Sequence, residues 1–243
     1  MKQIFILIIA YCSATGAYGQ LFDTSAAQTE LVATLLGTGR VFTANVTVIR
    51  EHGDKQIKIA DNVMSMRAGD ICLEHNPTAE SSLVKLTAKL KKNNLAEVTT
   101  ILLPKTGKAY LLFPGKHAYI ESPVEPTTAP RIESKFLRAE TVNGRLCAVR
   151  RVTVTDADDS SQQIIIWESA DLQSFIIKSK MDCGDDTNEI LLFTDIRSEK
   201  PGDVRFTVPS DYRELNGKAA GEIAKLMMEV EAMRDAVIEQ ALR

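Results

Sequence analysis

The stretch from Val98 to Ser122 reads VTTILLPKTGKAYLLFPGKHAYIES and decides the fold class. Proline and glycine stand together at two places in it, Pro104 to Gly107 and Pro114-Gly115, and such pairs mark tight turns. Short apolar segments joined by tight turns predict neighbouring antiparallel strands. The three apolar segments are Val98 to Leu103, Ala109 to Phe113 and His117 to Ile120.

The first turn also spells LPKTG, Leu103 to Gly107, the signal by which sortase enzymes anchor proteins to Gram-positive cell walls. A working signal lies near the C-terminus and is followed by an apolar segment of membrane length and a basic tail. More than half of this chain follows Gly107, and no such apolar segment is in it. We therefore interpret the five residues as a hairpin turn.

Upstream of this stretch, apolar and polar residues alternate. Phe42, Ala44, Val46 and Val48 alternate with Thr43, Asn45 and Thr47, as in a strand with one buried face. A second strand is predicted around Lys55 to Ala60. Asp61-Asn62 has the composition of a turn and predicts a further short strand, Val63 to Arg67.

Downstream, strand patterns resume after the proline-rich stretch Ser122 to Pro130. Asn143-Gly144 is a strong signal for a two-residue hairpin turn. About ten strands are expected in all. Those predicted in this half are Phe136–Val142, Arg145–Thr155, Gln162–Ser169, Leu172–Lys180, Glu189–Ile196 and a last one at VRFTVP, residues 204–209.

Three segments have helical periodicity: Thr24 to Leu36, Pro77 to Lys92 and the C-terminal residues 218–243. The last of these carries apolar residues at heptad positions between residues 223 and 241. Such a pattern allows either a homodimer through a coiled coil or a helix docked on its own sheet. Fewer than three clean heptads are present, so docking is favoured.

The N-terminus is typical of a secretory signal peptide. Residues 1–19 comprise a basic start, the apolar run Ile4 to Cys12 and small residues at Ala17 and Gly19. The mature chain then starts at Gln20, and we expect an exported, periplasmic protein with one β-rich domain over 20–217 and a helix over 218–243. A lipid anchor on Cys12 is the less favoured alternative, because the bulky Tyr11 precedes that cysteine.

Composition and motifs argue against several classes of function. The net charge of −3 gives no electrostatic reason to expect nucleic-acid binding. Beyond Cys12 the chain has Cys72, Cys147 and Cys183, which allow at most one internal disulfide and show no zinc-ligand spacing. We expect no cofactor and no metal.

No catalytic motif stands out, so we expect a protein that is not an enzyme. His117 is interpreted as a structural histidine within a strand. Glu168 and Asp171 near Trp167 are a candidate pair of carboxylates, although an exposed turn explains them equally well.

The order of several stretches resembles the outer-membrane lipoprotein carrier and sorting superfamily, over roughly Phe42 to Tyr212. The stretches, in chain order, are FTANVTV at 42–48, MSMR at 64–67, TTILLPKTGKAYLLFPGKHAYIES at 99–122, IIIWESADLQSFIIKS at 164–179 and FTVPSDY at 206–212. The resemblance implies an α+β, mainly β fold: a curved antiparallel sheet forming an unclosed half-barrel, with helices on its concave face. It also implies an apolar hollow for acyl chains.

The expected function is therefore binding of an apolar ligand, an acyl chain or a lipoprotein. The alternative is a periplasmic scaffold protein that self-associates through its C-terminal helix. The lysine-bearing insert and the C-terminal helix depart from the family pattern. No residue of this chain matches the arginine that locks the lid of the carriers, so no ligand-binding residue is assigned.

Overall fold

The protein is built on one twelve-stranded sheet. The computed structural model describes residues 35–37, 39–77, 88, 90–123, 130–155, 159, 161–184 and 186–242. The signal peptide at 1–19, Cys12 and most of the two helices predicted at 24–36 and 77–92 lie outside these residues. The strands are β1 (Val41–His52), β2 (Lys55–Arg67), β3 (Asp70–Pro77), β4 (Val98–Leu103), β5 (Lys108–Phe113), β6 (Ala118–Pro123), β7 (Arg131–Val142), β8 (Arg145–Thr155), β9 (Ser161–Ser169), β10 (Phe175–Gly184), β11 (Thr187–Arg197) and β12 (Arg213–Glu214).

The strand order is β12-β6-β5-β4-β3-β2-β1-β11-β10-β9-β8-β7. Strands β1 to β6 form one antiparallel meander, and β7 to β11 form a second that returns toward β1. Among the described residues the two meanders are hydrogen-bonded to each other only where β1 pairs with β11, and β12 adds to β6 as a short parallel strand. In the described part of the chain β7 and β12 are the two edges, so the sheet is unclosed, as predicted.

The connection between β6 and β7 requires the sheet to curve. These strands are ten strand spacings apart, which in a flat sheet is roughly 48 Å at about 4.8 Å per spacing. The chain from Pro123 to Arg131 spans at most about 29 Å at ~3.6 Å per residue. The sheet must therefore curl until its distant strands come within reach of this connection, and the prediction of a curved half-barrel is confirmed.

The hairpin predictions for residues 98 to 122 are confirmed. Both turns are single 3-10 turns, Pro104–Thr106 and Pro114–Lys116, and each is followed by a residue with positive φ. Gly107 has a φ of 65°, so LPKTG is the turn between β4 and β5. His117 has a φ of 45° and lies in the turn, so the prediction that it lies within a strand is wrong.

The prediction of a turn at Asp61-Asn62 is also wrong, because β2 runs unbroken from Lys55 to Arg67. A bulge at Ile59 absorbs one extra residue. Asp61 then accepts hydrogen bonds from Thr47 at 2.9 Å and Lys58 at 2.8 Å, which satisfy its carboxylate within the sheet. The turn falls instead at Ala68-Gly69, where both residues have positive φ.

VRFTVP was predicted as the last strand and is not one. Residues Asp203–Phe206 form a 3-10 turn, and the chain from Asp203 to Tyr212 crosses the face of the sheet that carries Cys72 and Ile101. We call this segment the outer strap. Phe206, only 3% exposed, anchors it, and the guanidinium of Arg67 lies 4.4 Å from the centre of its ring. Burial of this one aromatic ring requires a bend that an extended strand would not make.

The C-terminal helix extends over Gly217–Leu242, close to its predicted bounds. Ala220, Ala224, Val230, Ile238 and Leu242 are buried along it. The helix contacts β1 and β2 and packs against the sheet, which is the arrangement favoured by the sequence. No helix in the described residues is long and apolar enough to cross a membrane.

Candidate ligand-binding face

One face of the sheet is apolar across most of its width, and we call it the inner face. On β1 it consists of Phe42, Ala44, Val46 and Val48, each at most 2% exposed. The alternate residues of β1 point to the opposite, outer face. Strand pairing extends the apolar inner surface to both neighbours, with Met64 and Met66 on β2 and Leu191 and Phe193 on β11.

Aromatic rings and methionines give the inner face its shape. Phe175 contacts Phe42 edge to face, with ring centroids 4.8 Å apart, and Phe193 at 5.9 Å. Met64 and Met66 lie buried beside them. Methionine side chains are unbranched and adapt to irregular shapes, so Met64 and Met66 can fill the space beside the aromatic rings.

The C-terminal helix covers the inner face unevenly. Its first turns carry Ala220 and Ala224, whose small side chains pack in one apolar cluster with Phe113 and Ala118. Its last turns carry Ile238 and Leu242, which join the larger cluster around β1. The helix therefore crosses the inner face, and the strands of the second meander beyond β11 lie away from its first turns.

At the β7 edge the inner face is open to solvent. Ile132 and Phe136 of β7 are 44% and 54% exposed. Ile132 pairs directly with Val154 of β8, a buried member of the main cluster. Apolar side chains thus continue from the buried core to an exposed rim, which we call the β7 rim.

A buried ion pair lies on the inner face next to its apolar centre. Arg50 on β1 and Glu189 on β11 are directly opposite each other. Each is two residues along its strand from the pair Val48 and Leu191, and so on the same face. Arg50 donates to Glu189 at 3.0 Å, and the side chain of Glu189 is fully buried. Such a pair requires that both charges stay together, because desolvation of either one alone is costly.

A second polar group interrupts the inner face on β2, β3 and β4. Asn62 lies between Val46 and His75 in the strand pairing, and it is 1% exposed. His75 Nε2 and Thr100 Oγ1 are 3.2 Å apart. The sequence pattern assigns Asn62 to a turn and therefore does not predict that it lies on the inner face. The available signal was its position two residues before Met64 in an apolar alternation.

The carboxylates near Trp167, Glu168 and Asp171, do not share a hydrogen-bond partner. Glu168 accepts a hydrogen bond from Arg150 at 2.7 Å. Asp171 is exposed and binds Ser169 and Arg145, and these two interactions hold the pKa of its carboxyl below the usual range. Each carboxylate therefore has its own partners. In the described residues no three histidine, cysteine or acidic side chains are grouped so that they could hold a metal ion.

The three cysteines of the sheet are free thiols. Burial raises the pKa of Cys72 to about 12, with a further contribution from Glu74. Burial also raises the pKa of Cys183 to about 11, and Glu189 adds to this shift. For Cys147, too, burial raises the pKa of the thiol. None of the three is therefore an activated nucleophile.

We expect the native protein to react slowly with iodoacetamide at pH 8. At a pKa of about 11 or 12, at most about one thiol in a thousand is ionised at Cys183 and Cys72, and burial raises the pKa of the Cys147 thiol as well. Mass spectrometry after timed alkylation measures the reaction at Cys72, Cys147 and Cys183. The same protein in guanidinium chloride should be alkylated completely within the same time. Rapid labelling of a native thiol would contradict its assigned burial.

Several solved structures are similar to this chain, whereas no protein-family model and no curated protein matches it. Lipoprotein LppX of Mycobacterium tuberculosis is 11% identical with a TM-score of 0.39, over 74% of this chain and 99% of that one. A LolA superfamily protein from Nitrosomonas europaea is 11% identical with a TM-score of 0.34, over 74% and 97%. MucB in the MucA/MucB complex of Pseudomonas aeruginosa is 12% identical with a TM-score of 0.40, over 78% and 62%. A LolA superfamily protein is thus among the solved structures similar to this chain, as the order of the sequence motifs predicted.

Proposed function

We propose that this chain is an exported, non-enzymatic binding protein that holds an acyl chain on the inner face of its sheet. The observation that carries the proposal is the continuity of apolar side chains from the buried core to the exposed β7 rim. A ligand-binding site for an apolar molecule needs a concave apolar surface and few polar groups. The curvature of the sheet and the apolar residues of its inner face support this proposal.

Exposure at the β7 rim supports entry from that side. Phe136 is more than half exposed although it lies in the same cross-strand row as the buried Ile166 and Leu191. A soluble protein gains by covering such a side chain. An acyl chain lying along this row would cover Phe136 and contact Ile166 and Leu191, and it would also pass Arg150 and Ser179, which lie between them in the row.

The signal-peptide pattern of residues 1–19 supports a periplasmic location for this activity. A carrier or receptor for acyl chains is useful there because acyl chains do not cross water unaided. The lipoprotein ligand expected from the family resemblance is one source of such chains. Free fatty acids and phospholipids are others.

The chain from Gln20 should bind the apolar probe N-phenyl-1-naphthylamine, and methyl palmitate should displace it. We expect Phe136→Glu to weaken methyl palmitate binding about fivefold or more, because it removes about 1 kcal/mol of apolar contact and places a charge at the rim. Probe fluorescence measures both affinities. Protein exported and purified without detergent is required, so that the face is free of surfactant.

Val204→Glu is the matched control, because Val204 is 77% exposed and lies on the outer strap. It should leave the affinity unchanged. Wild-type protein that fails to bind the probe would refute acyl binding. A ligand-free dimer in native mass spectrometry, lost on deletion of residues after Gly217, would favour the scaffold alternative. The burial of Val230, a heptad residue of that helix, within this single chain disfavours it.

A further inference from the structure

Asn62 carries an unsatisfied hydrogen-bond donor within the inner face. Its Nδ2 atom is buried and has no hydrogen-bond partner in the described part of the protein. The neighbours on either side are Val46 on β1 and Met64 on β2, and both are fully buried. Buried polar groups in native proteins nearly always have a partner, so a donor of this kind requires an explanation.

The orientation of the Asn62 amide follows from its other contact. The backbone N–H of Asn76 donates to Asn62 Oδ1 at 3.3 Å, which places the oxygen toward β3. The nitrogen therefore takes the opposite position, and exchanging the two atoms would leave two donors facing each other. Asn62 Nδ2 is thus available as a donor and cannot act as an acceptor.

Two further polar side chains lie beside Asn62. His75 is its direct cross-strand neighbour on β3, and His75 contacts Thr100 on β4. The three residues form a polar patch on β2, β3 and β4, bordered by Val46, Met64, Leu73 and Val98. A patch of this size matches one polar group on an otherwise apolar ligand.

We propose that Asn62 Nδ2 binds the carbonyl oxygen of an ester- or amide-linked acyl chain. This inference rests on the proposed function and specifies the ligand class for the same face. A carbonyl oxygen is an acceptor that matches the neutral amide donor. A free carboxylate fits less well, because an ionised group is costly to bury beside a neutral partner.

The test compares methyl palmitate, palmitate and hexadecane as competitors of N-phenyl-1-naphthylamine. Wild-type protein should bind methyl palmitate about five- to tenfold more tightly than hexadecane, which corresponds to one hydrogen bond to a neutral group. Asn62→Leu should abolish this preference and retain hexadecane binding. Asn62→Ala removes the donor without adding volume, so it should also lose the preference and serves if Asn62→Leu does not fold.

Asn45→Leu is the matched control, because Asn45 lies on the outer face of β1 and binds Asp195. It should keep the preference for the ester. A preference that survives in both Asn62 variants would overturn the proposal while leaving acyl binding intact. Tighter binding of palmitate than of methyl palmitate would overturn the choice of an uncharged carbonyl. A wild-type protein that binds none of the three refutes the proposed function itself.

Discussion

Glu189→Ala is expected to lower the free energy of unfolding by about 3–5 kcal/mol. The side chain of Glu189 is fully buried and pairs with Arg50 at 3.0 Å, and only 13% of the Arg50 side chain is exposed. The variant removes the carboxylate and leaves the guanidinium charge desolvated beside the apolar core. Urea unfolding followed by circular dichroism measures the difference.

Two further variants identify the cause of this loss. Glu133→Ala removes a partner of the pair Arg131–Glu133 on β7, where both side chains are about 70% exposed, and it should change stability little. The double variant Arg50→Met, Glu189→Leu should recover most of the loss, because it removes both charges and restores apolar volume. A double variant as unstable as Glu189→Ala would show that charge pairing is not the origin of the effect.

Phe206→Ala is expected to cost about 3–5 kcal/mol, the range for truncating a buried phenylalanine. In the wild type Phe206 packs on the outer face against Cys72, Ile101 and Leu112. The variant loses these contacts and also the contact between the Arg67 guanidinium and the ring. Because the outer strap leads directly into β12 and the C-terminal helix, we expect a single cooperative transition at lower urea concentration. Circular dichroism and tryptophan fluorescence should report the same midpoint.

Val204→Ala is the control for this experiment, since Val204 lies two residues away and is 77% exposed. It should shift the urea midpoint very little. A loss below about 1 kcal/mol in Phe206→Ala would mean that the outer strap contributes less than an ordinary buried ring. Two separate transitions would mean that the outer strap detaches before the sheet unfolds.

The sequence was sufficient to predict the sheet wherever turn residues and alternation agree. Pro104 to Gly107 and Asn143-Gly144 each lie where the chain reverses, because their backbone preferences match tight turns. Alternation in β1 identified the inner face correctly at Phe42, Ala44, Val46 and Val48. These signals are local, so they can be read without knowing the partners of a strand.

Local signals failed where a distant contact determines the conformation. Asp61-Asn62 has the composition of a turn, yet Thr47 and Asn76 on neighbouring strands donate hydrogen bonds to the side-chain oxygens of Asp61 and Asn62 within β2. Phe206 has strand-like neighbours in sequence, yet its burial against β3, β4 and β5 bends the chain. His117 lies in a turn, where it binds Asp211 of the outer strap at 2.7 Å.

The candidate site was harder to predict than the fold. The apolar character of the inner face follows from alternation, but the Arg50–Glu189 pair depends on β1 lying next to β11, a pairing across more than a hundred residues. The donor of Asn62 is recognisable only when its amide orientation is known. The ion pair and the unsatisfied donor both depend on which residues the strand register places opposite each other.

The seam between β1 and β11 has a consequence for how the chain assembles. Every other antiparallel pairing in the described part of the chain joins strands that follow one another in sequence, so each meander can form from its local turns. The seam brings together residues that are about 150 positions apart in sequence. Its formation therefore carries most of the entropic cost of closing loops. During synthesis, β1 emerges first and keeps an unpaired edge until residues 187–197 have been made. The nascent chain thus has an unpaired strand edge during most of its translation, and such edges favour aggregation until they are paired or covered.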